Sequence, residues 1–189
     1  VTTLPCSDAV KFGSVGTALE GTQIRIAEDG EILVQSPGVF KGYFDNPAAT
    51  AEALRDGWLF TGDVGQLDAD GYLTITDRKK DLIKYKDYSV YPRELEDVLY
   101  EHPAVKLCAV VGKPSPVVGE VPKAFIVLKD DAQATEEEIM AFVKDKVAPY
   151  KVVRELEFRQ ELPISGAGKV LRRTLQAEEK RKRHAADAA

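Results

Sequence analysis

A change in hydrophobic rhythm near residue 80 constrains the fold of this chain more than any other feature. Before it, short runs of alternating apolar and polar residues are separated by the tight-turn pairs Asp29-Gly30 and Asp70-Gly71. This pattern is typical of antiparallel strands joined by hairpins, because alternate side chains of a strand face opposite sides of a sheet. We therefore predict a small antiparallel, barrel-like β subdomain over residues 1–78.

The second part of the chain has the pattern of mixed helices and strands. Apolar residues recur at helical spacing in 92–101, whereas 105–111 is apolar except for Lys106 and predicts a buried strand. A final amphipathic helix is predicted from about Lys169. This order of elements predicts a compact α+β domain over residues 79–189. The polar segment 77–81, DRKKD, is the predicted link between the two parts.

Composition and charge argue against several classes of protein. The chain has 189 residues with 26 basic and 31 acidic side chains, a net charge of −5, whereas a nucleic-acid binder normally has a basic excess. Its two cysteines, Cys6 and Cys108, and its two histidines, His102 and His184, lack the close spacing of a zinc site. No apolar run reaches the ~18–20 residues of a transmembrane helix. We therefore expect a cytoplasmic protein that binds no nucleic acid and no zinc.

Three separated clusters carry residues suited to binding a nucleotide. Asp63 follows a Thr-Gly pair at the end of a predicted strand, where its carboxylate can accept two hydrogen bonds from a sugar diol. Arg78, in the link, has a guanidinium that can fork onto phosphate or ribose oxygens. Lys169 follows the glycine-bearing loop 163–168 and can neutralise a phosphate or a carboxylate. Taken alone, each cluster also has an ordinary explanation, namely a turn aspartate, a solvated link and a helix-start lysine.

Together and in this order, the clusters resemble the motifs of a known enzyme family. The run from Gly30 to Asp63, the segment DRKKDLIKYK with VYPRELEDVL, and PYKV with PxxxxGKxxRR are similar to stretches of the acyl-adenylate-forming (AMP-binding) enzymes. The resemblance extends from Phe12 to Gln176, and the residues of these motifs are most similar to those of long-chain fatty acid/acyl-CoA synthetases. It implies the last β subdomain of a large N-terminal domain, a hinge, and a complete, mobile C-terminal α+β domain.

The resemblance assigns roles to five residues of this chain. Asp63 matches the aspartate that holds the ribose hydroxyls of AMP, and Arg78 matches an arginine that contacts the nucleotide. Lys80 matches the hinge, where rotation of one residue's backbone re-aims the C-terminal domain. Lys169 matches the catalytic lysine that bridges the acyl carboxylate and the α-phosphate during adenylation. Lys84 matches a second lysine that some acyl- and aryl-CoA ligases place near the adenylate.

The implied reaction joins a carboxylic acid to coenzyme A (CoA) in two steps. ATP and the acid give acyl-AMP and pyrophosphate, and the CoA thiol then attacks the adenylate. The implied cofactors are ATP, CoA and Mg²⁺, and no metal ligands are identified in this chain. Family members carry the phosphate loop and the acyl pocket in a large N-terminal region. The chain is therefore interpreted as a C-terminal fragment, inactive by itself, whose partner is that missing domain; a homodimer stays open.

Two departures from the family pattern bear on the second step. Asp87 stands where relatives usually have glycine along the path of the pantetheine arm, and Ala167 stands where they usually have serine. A carboxylate beside the anionic CoA puts thioester formation in doubt. Two alternatives stay open: an adenylating domain that delivers acyl-AMP to a carrier protein, and a stand-alone, non-catalytic C-terminal domain.

Overall fold

The fold divides into two compact units: unit 1 ends at Lys80 and unit 2 begins at Asp81. The computed structural model describes residues 2–3 and 11–187, so Cys6 lies outside the described residues. Each unit has its own sheet and its own hydrophobic core. The assignment of the units to parts of a larger enzyme stays a prediction.

Unit 1 is built from short antiparallel strands and one helix. Its elements are β1 (Thr2–Thr3), β2 (Thr17–Ala18), β3 (Gln23–Ile26), β4 (Glu31–Gln35), α1 (Pro47–Ala53), β5 (Leu54–Arg55), β6 (Trp58–Leu67) and β7 (Leu73–Arg78). The main sheet has the order β3-β4-β6-β5, and β7 pairs with the C-terminal part of β6. Ile32 and Val34 of β4 and Leu73 of β7 form the buried centre of its core.

The prediction of a barrel-like unit is wrong, because the sheet formed by the described residues of unit 1 is open. Within that sheet β3 pairs with β4 alone and therefore forms an edge. The long strand β6 pairs with β4 between Leu59 and Val64, with β5 at Trp58 and Leu59, and with β7 from Asp63 onwards. Its register with β7 shifts between Val64 and Gly65. Because β6 changes partner along its length, its neighbouring strands do not close into a barrel. The predicted antiparallel pairing of the strands is confirmed.

Unit 2 is an α+β domain, which confirms the predicted class. Its elements are β8 (Ile83–Tyr85), β9 (Tyr88–Val90), α2 (Pro92–Tyr100), β10 (Val105–Ser115), β11 (Gly119–Leu128), α3 (Glu136–Lys144), β12 (Glu155–Phe158) and α4 (Arg172–Asp187). Its sheet has the antiparallel order β10-β11-β8-β9. The short strand β12 adds to β11 in parallel.

Both faces of the β10–β11 hairpin are buried, which explains the continuous apolar runs in the sequence. Cys108 and Val110 of β10 belong to the core that α2 and α3 cover, whereas Ala109 and Val111 belong to a second core with Leu175 of α4. Burial raises the pKa of the Cys108 thiol to about 12. The thiol is therefore protonated and unreactive at neutral pH.

The last helix begins later than the sequence predicts. It starts at Arg172 and not near Lys169, because Ile164 and Val170 pair as an isolated antiparallel bridge. This bridge closes a short loop, and the chain becomes helical only after it. Lys169 therefore lies on a hairpin-like loop and not in the first turn of a helix.

A buried ionic network joins α4 to β11 and β12. The ammonium of Lys123 lies 2.9 Å from Glu179 Oε1 and 2.8 Å from Glu157 Oε2. Arg159 and Lys182 also donate hydrogen bonds to Glu157. Burial by itself raises the pKa of Glu157, but the three donors outweigh it and lower this pKa to about 2.

Unit 2 should therefore lose stability in acid to an extent that depends on Glu157. The pKa of this carboxyl is about 2 in the fold against an ordinary value of 4.5. Its contribution to stability is complete above pH ~4.5 and is lost as the pH falls towards ~2. We expect the urea midpoint of unit 2 to fall more between pH ~5.5 and pH ~3 in the wild-type chain than in Glu157→Gln. Equal acid dependence of the two proteins would contradict this assignment.

Candidate functional site

Asp63 and Arg78 lie opposite each other on neighbouring strands of unit 1. They are register partners of β6 and β7, and Asp63 Oδ1 lies 3.3 Å from Arg78 Nε. Both side chains are accessible, with 30% of the Asp63 side chain and 60% of the Arg78 side chain exposed. The structure thus brings together two residues that the sequence places in separate clusters.

An irregular residue in β6, Gly62, leaves room beside Asp63 for a close approach by a ligand. Gly62 has φ 73°, a conformation that favours glycine, and a Cβ added there would meet no atom within 4 Å. The Thr61 hydroxyl donates to the Ile32 carbonyl at 2.8 Å and accepts from the Asp63 N–H at 3.1 Å. The Asp63 carboxylate is therefore held on a fixed backbone with acceptor capacity left for a diol, so the residues present fit a ribose.

Glu31 supports this part of β6, and the sequence alone did not single out this residue. Its side chain is only 5% exposed, and it accepts hydrogen bonds from the Gly62 N–H at 2.9 Å and from the Lys79 ammonium at 2.7 Å. Lys79 also pairs with Asp29 at 2.7 Å, and the bonds to Asp29 and Glu31 raise the pKa of this lysine. The sequence did contain a signal for this role, since Glu31 stands at the start of a mostly apolar predicted strand. A carboxylate buried there needs a cation as its partner.

Lys80 lies between two residues that are each bound within a different unit. Lys79 pairs inside unit 1, whereas Asp81 Oδ2 lies 3.7 Å from Arg172 Nη1 inside unit 2. The three residues Lys79–Asp81 form one 3-10 turn, in which Lys80 is exposed. A rotation at Lys80 would leave the ion pairs on both sides intact, as the predicted hinge requires. The hinge role stays a prediction.

Limited trypsin digestion should cut this chain first in the basic segment Arg78–Lys80. Each unit has its own core, so opening the single turn between them costs less free energy than opening either core. We expect mass spectrometry of early digests to find fragments that end or begin within this segment. Early cleavage inside 30–75, with the segment intact, would contradict the proposed boundary.

Lys84 lies on the surface of unit 2, in β8. Its ammonium donates to Ser89 Oγ at 2.8 Å, and its backbone N–H donates to the Glu120 carboxylate at 3.0 Å. The turn from β8 to β9 that follows holds Lys86 at φ 52° and exposes Asp87. The structure therefore places Lys84 and Asp87 on the same hairpin, a different element from the loop that carries Lys169.

The backbone of Lys169 is fixed while its side chain is exposed. Its N–H donates to Ser165 Oγ at 3.2 Å, and its carbonyl accepts from the Ser165 N–H at 2.8 Å. Gly168 has φ 76°, and a Cβ added at Gly168 or Gly166 would meet no atom within 4 Å. This arrangement presents a long cation on an uncrowded loop, which fits an anionic substrate.

Residues 2–3 and 11–187 offer neither a metal centre nor a membrane-spanning helix. No group of three or more His, Cys, Asp or Glu side chains in these ranges could hold a metal ion. No helix there is both long and apolar enough to cross a membrane. We assign no reaction step to a metal ion.

The sequence of unit 2 matches that of a known domain family. Residues 94–169 match the family model described as the AMP-binding enzyme C-terminal domain. The match begins in α2, crosses the whole β10–β11 hairpin and ends at Lys169. The chain contains an AMP-binding enzyme C-terminal domain. In this domain the exposed lysine of the glycine loop is the last matched residue.

The chain with its AMP-binding C-terminal domain is similar to acid–CoA ligases and to a related synthetase. It is 52% identical over 157 residues to a long-chain-fatty-acid–CoA ligase of Bacillus subtilis (strain 168), which covers 83% of this chain and 28% of that protein. The o-succinylbenzoate CoA synthetase of Bacillus subtilis, solved with the acyl-adenylate intermediate OSB-AMP, is 36% identical with a TM-score of 0.78, over 88% of this chain and 36% of that one. The amide bond synthetase McbA from Marinactinospora thermotolerans is 39% identical with a TM-score of 0.77, over 87% of this chain and 35% of that one. The chain thus spans about a third of the length of these relatives.

Proposed function

We propose that this chain is the C-terminal part of an ATP-dependent acid–CoA ligase. The observation that carries the proposal is its 52% identity, over 157 residues, to a long-chain-fatty-acid–CoA ligase. In the first step a carboxylate attacks the α-phosphate of ATP and pyrophosphate leaves, which gives acyl-AMP. In the second step the CoA thiol attacks the acyl carbon, loses its proton and releases AMP.

The exposed residues of unit 1 hold the nucleotide in this proposal. Asp63 accepts hydrogen bonds from the two ribose hydroxyls, since an ionised carboxylate offers acceptors to both. Arg78, whose Nε lies 3.3 Å from Asp63, contacts the nucleotide with its remaining N–H groups. Their ion pair orients both groups before the ligand arrives, which reduces the conformational entropy that binding costs.

The two lysines of unit 2 supply positive charge to the reacting groups. Lys169 lies between the acyl carboxylate and the α-phosphate, where negative charge grows in the transition state of adenylation. Lys84 lies near the adenylate as a second cation. A rotation at Lys80 changes the surface of unit 2 that faces the reacting atoms, so Lys169 serves the first step and the hairpin with Asp87 serves the second.

The proposal is tested with the complete enzyme, ATP, CoA and a panel of fatty and aryl acids. Pyrophosphate release and thioester formation that both depend on one class of acid are expected. The 189-residue chain alone should stay at background in the same assay. Turnover by the chain alone would refute its assignment as a part of the enzyme, and acid-independent ATP cleavage by the complete enzyme would refute the ligase activity.

Asp87→Gly in the complete enzyme should accelerate thioester formation from supplied acyl-AMP and leave adenylation unchanged. The exposed carboxylate adds negative charge beside an anionic cofactor, and removing a repulsion of about 1 kcal/mol corresponds to roughly fivefold. Asp131→Gly, at another exposed acidic position of unit 2, is the control and should change neither rate. An unchanged thioester rate in Asp87→Gly would place this turn outside the CoA path.

An amine is a second candidate for the acceptor of the acyl group. One observation favours it, the 39% identity to an amide bond synthetase. In that case the adenylate would be consumed by an amine. The same assay distinguishes the two, because CoA and a panel of amines compete for supplied acyl-AMP. Amide formation without thioester formation would replace the ligase proposal by this one.

A further inference from the structure

Arg172, the first residue of α4, makes ionic contacts with two carboxylates, those of Glu96 and Asp81. Its Nε donates to Glu96 Oε1 at 2.8 Å, and its Nη2 donates to Glu96 Oε2. Its Nη1 lies 3.7 Å from Asp81 Oδ2. All three side chains are largely withdrawn from solvent, with 24% of Arg172, 10% of Glu96 and 14% of Asp81 exposed. A forked contact of this kind restricts both the position and the orientation of the guanidinium.

Glu96 is itself fixed in the core of unit 2. It lies on α2, and its Oε1 also accepts the Val110 N–H of β10 at 2.9 Å. A buried carboxylate is costly unless it is paired. Glu96 therefore needs the guanidinium of Arg172, and the two oxygens of Glu96 in turn orient that guanidinium. Arg172 is thereby joined to α2, to the central hairpin and to the first residue of unit 2.

Arg172 also ends the loop that carries Lys169. The Leu171 N–H donates to the Pro163 carbonyl at 2.8 Å, which closes the loop one residue before Arg172. The apolar contacts at the base of the loop are non-directional, because the hydrophobic effect does not fix orientation. The fork between Arg172 and Glu96 is directional and lies three positions from Lys169 in the sequence.

We propose that Arg172 is a positioning residue, which fixes the Lys169 loop to the hinge end of unit 2 through Glu96 and Asp81. The inference rests on the proposed function for the role of Lys169. When the chain rotates at Lys80, Asp81 and the loop that carries Lys169 then move together as one rigid body. Arg172 touches no substrate in this proposal and acts through the placement of Lys169.

The neighbouring Arg173 provides a matched control. It has the same charge, lies on the same helix turn and is exposed. In the 189-residue chain, Arg172→Gln should raise the hydrogen-exchange rates of the loop amides, such as those of Gly168 and Leu171, by at least about tenfold, because the loop loses its directional anchor. Arg173→Gln should leave them unchanged. Equal protection in the two variants would overturn the proposal.

A second variant keeps the test decisive if Arg172→Gln destabilises unit 2. Asp81→Asn removes the hinge side of the contact and leaves the buried fork between Glu96 and Arg172 in place. It should raise exchange in the same loop to a smaller extent, with an unchanged urea midpoint. Loop exchange identical to wild type in Asp81→Asn would show that the hinge end and the loop are not joined.

In the complete enzyme, Arg172→Gln should lower kcat for adenylation by about 10- to 100-fold, because displacing a catalytic group by about 1 Å has an effect of this size. The KM for ATP and the rate of thioester formation from supplied acyl-AMP should stay within about twofold, since Lys169 serves the first step alone. Arg172→Lys should recover part of the loss, and Arg173→Gln should show none. If Lys169→Ala leaves adenylation intact, the proposed function of Lys169 fails, and the exchange result still decides the structural link. If Lys169→Ala is impaired and Arg172→Gln is not, the positioning role is refuted.

Discussion

Replacing Lys169 with alanine in the complete enzyme should slow adenylation by about 10²–10³-fold, which corresponds to ~3–4 kcal/mol of lost transition-state stabilisation. The loop that carries Lys169 holds its backbone through Ser165 and leaves its side chain exposed. The ammonium can therefore reach an anionic centre without a conformational change of the loop. In the proposed function its charge acts where the attacking carboxylate and the α-phosphate meet, because negative charge grows there in the transition state of adenylation.

The two half-reactions of the Lys169→Ala enzyme should differ. Thioester formation from supplied acyl-AMP should stay within a few-fold of wild type, since in the proposed function the lysine serves adenylation alone. Lys180→Ala, an exposed lysine on α4, is the control for a general effect of charge and should change neither rate. Pyrophosphate exchange and thioester formation measure the two steps separately. If both steps slow equally in Lys169→Ala, the lysine is structural and the assignment fails.

Replacing Lys123 with methionine should destabilise unit 2 by about 3 kcal/mol, the lower end of the range for breaking a buried ion pair, because the buried Glu179 then keeps only the half-exposed ammonium of Lys182. The Glu179 side chain is fully buried, and its Oε2 already lacks a hydrogen-bond partner among the described residues. Lys123 is 8% exposed and supplies one of the two ammonium groups that bind Glu179 Oε1. The mutation therefore removes a cation that α4 needs in order to dock on the sheet.

Urea unfolding of the chain tests this prediction through the transition of unit 2. Lys113→Met is the matched control, since its ion pair with Glu155 is 2.7 Å long but 36–40% exposed. Such a pair contributes ~1 kcal/mol or less. The double variant Lys123→Met with Glu179→Leu should recover most of the lost stability, because both charges are then absent. A small effect of Lys123→Met, equal to that of Lys113→Met, would show that solvent screens the network.

The local pattern of the sequence predicted most of the secondary structure. Turn pairs and alternation predicted antiparallel strands in unit 1, and the helical spacing before Pro103 predicted α2 (Pro92–Tyr100). The mixed rhythm after Leu82 predicted the α+β class of unit 2. Periodicity succeeds there because helix or strand geometry fixes, within a few consecutive residues, which side chains share a face.

The local pattern failed where one element has two partners. It predicted a barrel-like unit, but β6 pairs along its length with different strands and leaves the sheet open. It also began the last helix near Lys169, where the bridge between Ile164 and Val170 forms instead. Neither pairing is encoded in spacing, because both depend on which strand is near in space.

By itself, therefore, the sequence determined the fold class of unit 2, and it predicted a division near residue 80 and the residues Asp63, Arg78 and Lys169 as candidates for chemistry. Only the tertiary structure decided how the candidates are supported. Glu31 reaches Lys79 across 48 positions, Lys123 reaches Glu179 across 56, and Glu96 reaches Arg172 across 76. The physical reason is that a buried charge must be paired, but its partner can be any opposite charge that the packing of the core brings within a few ångströms.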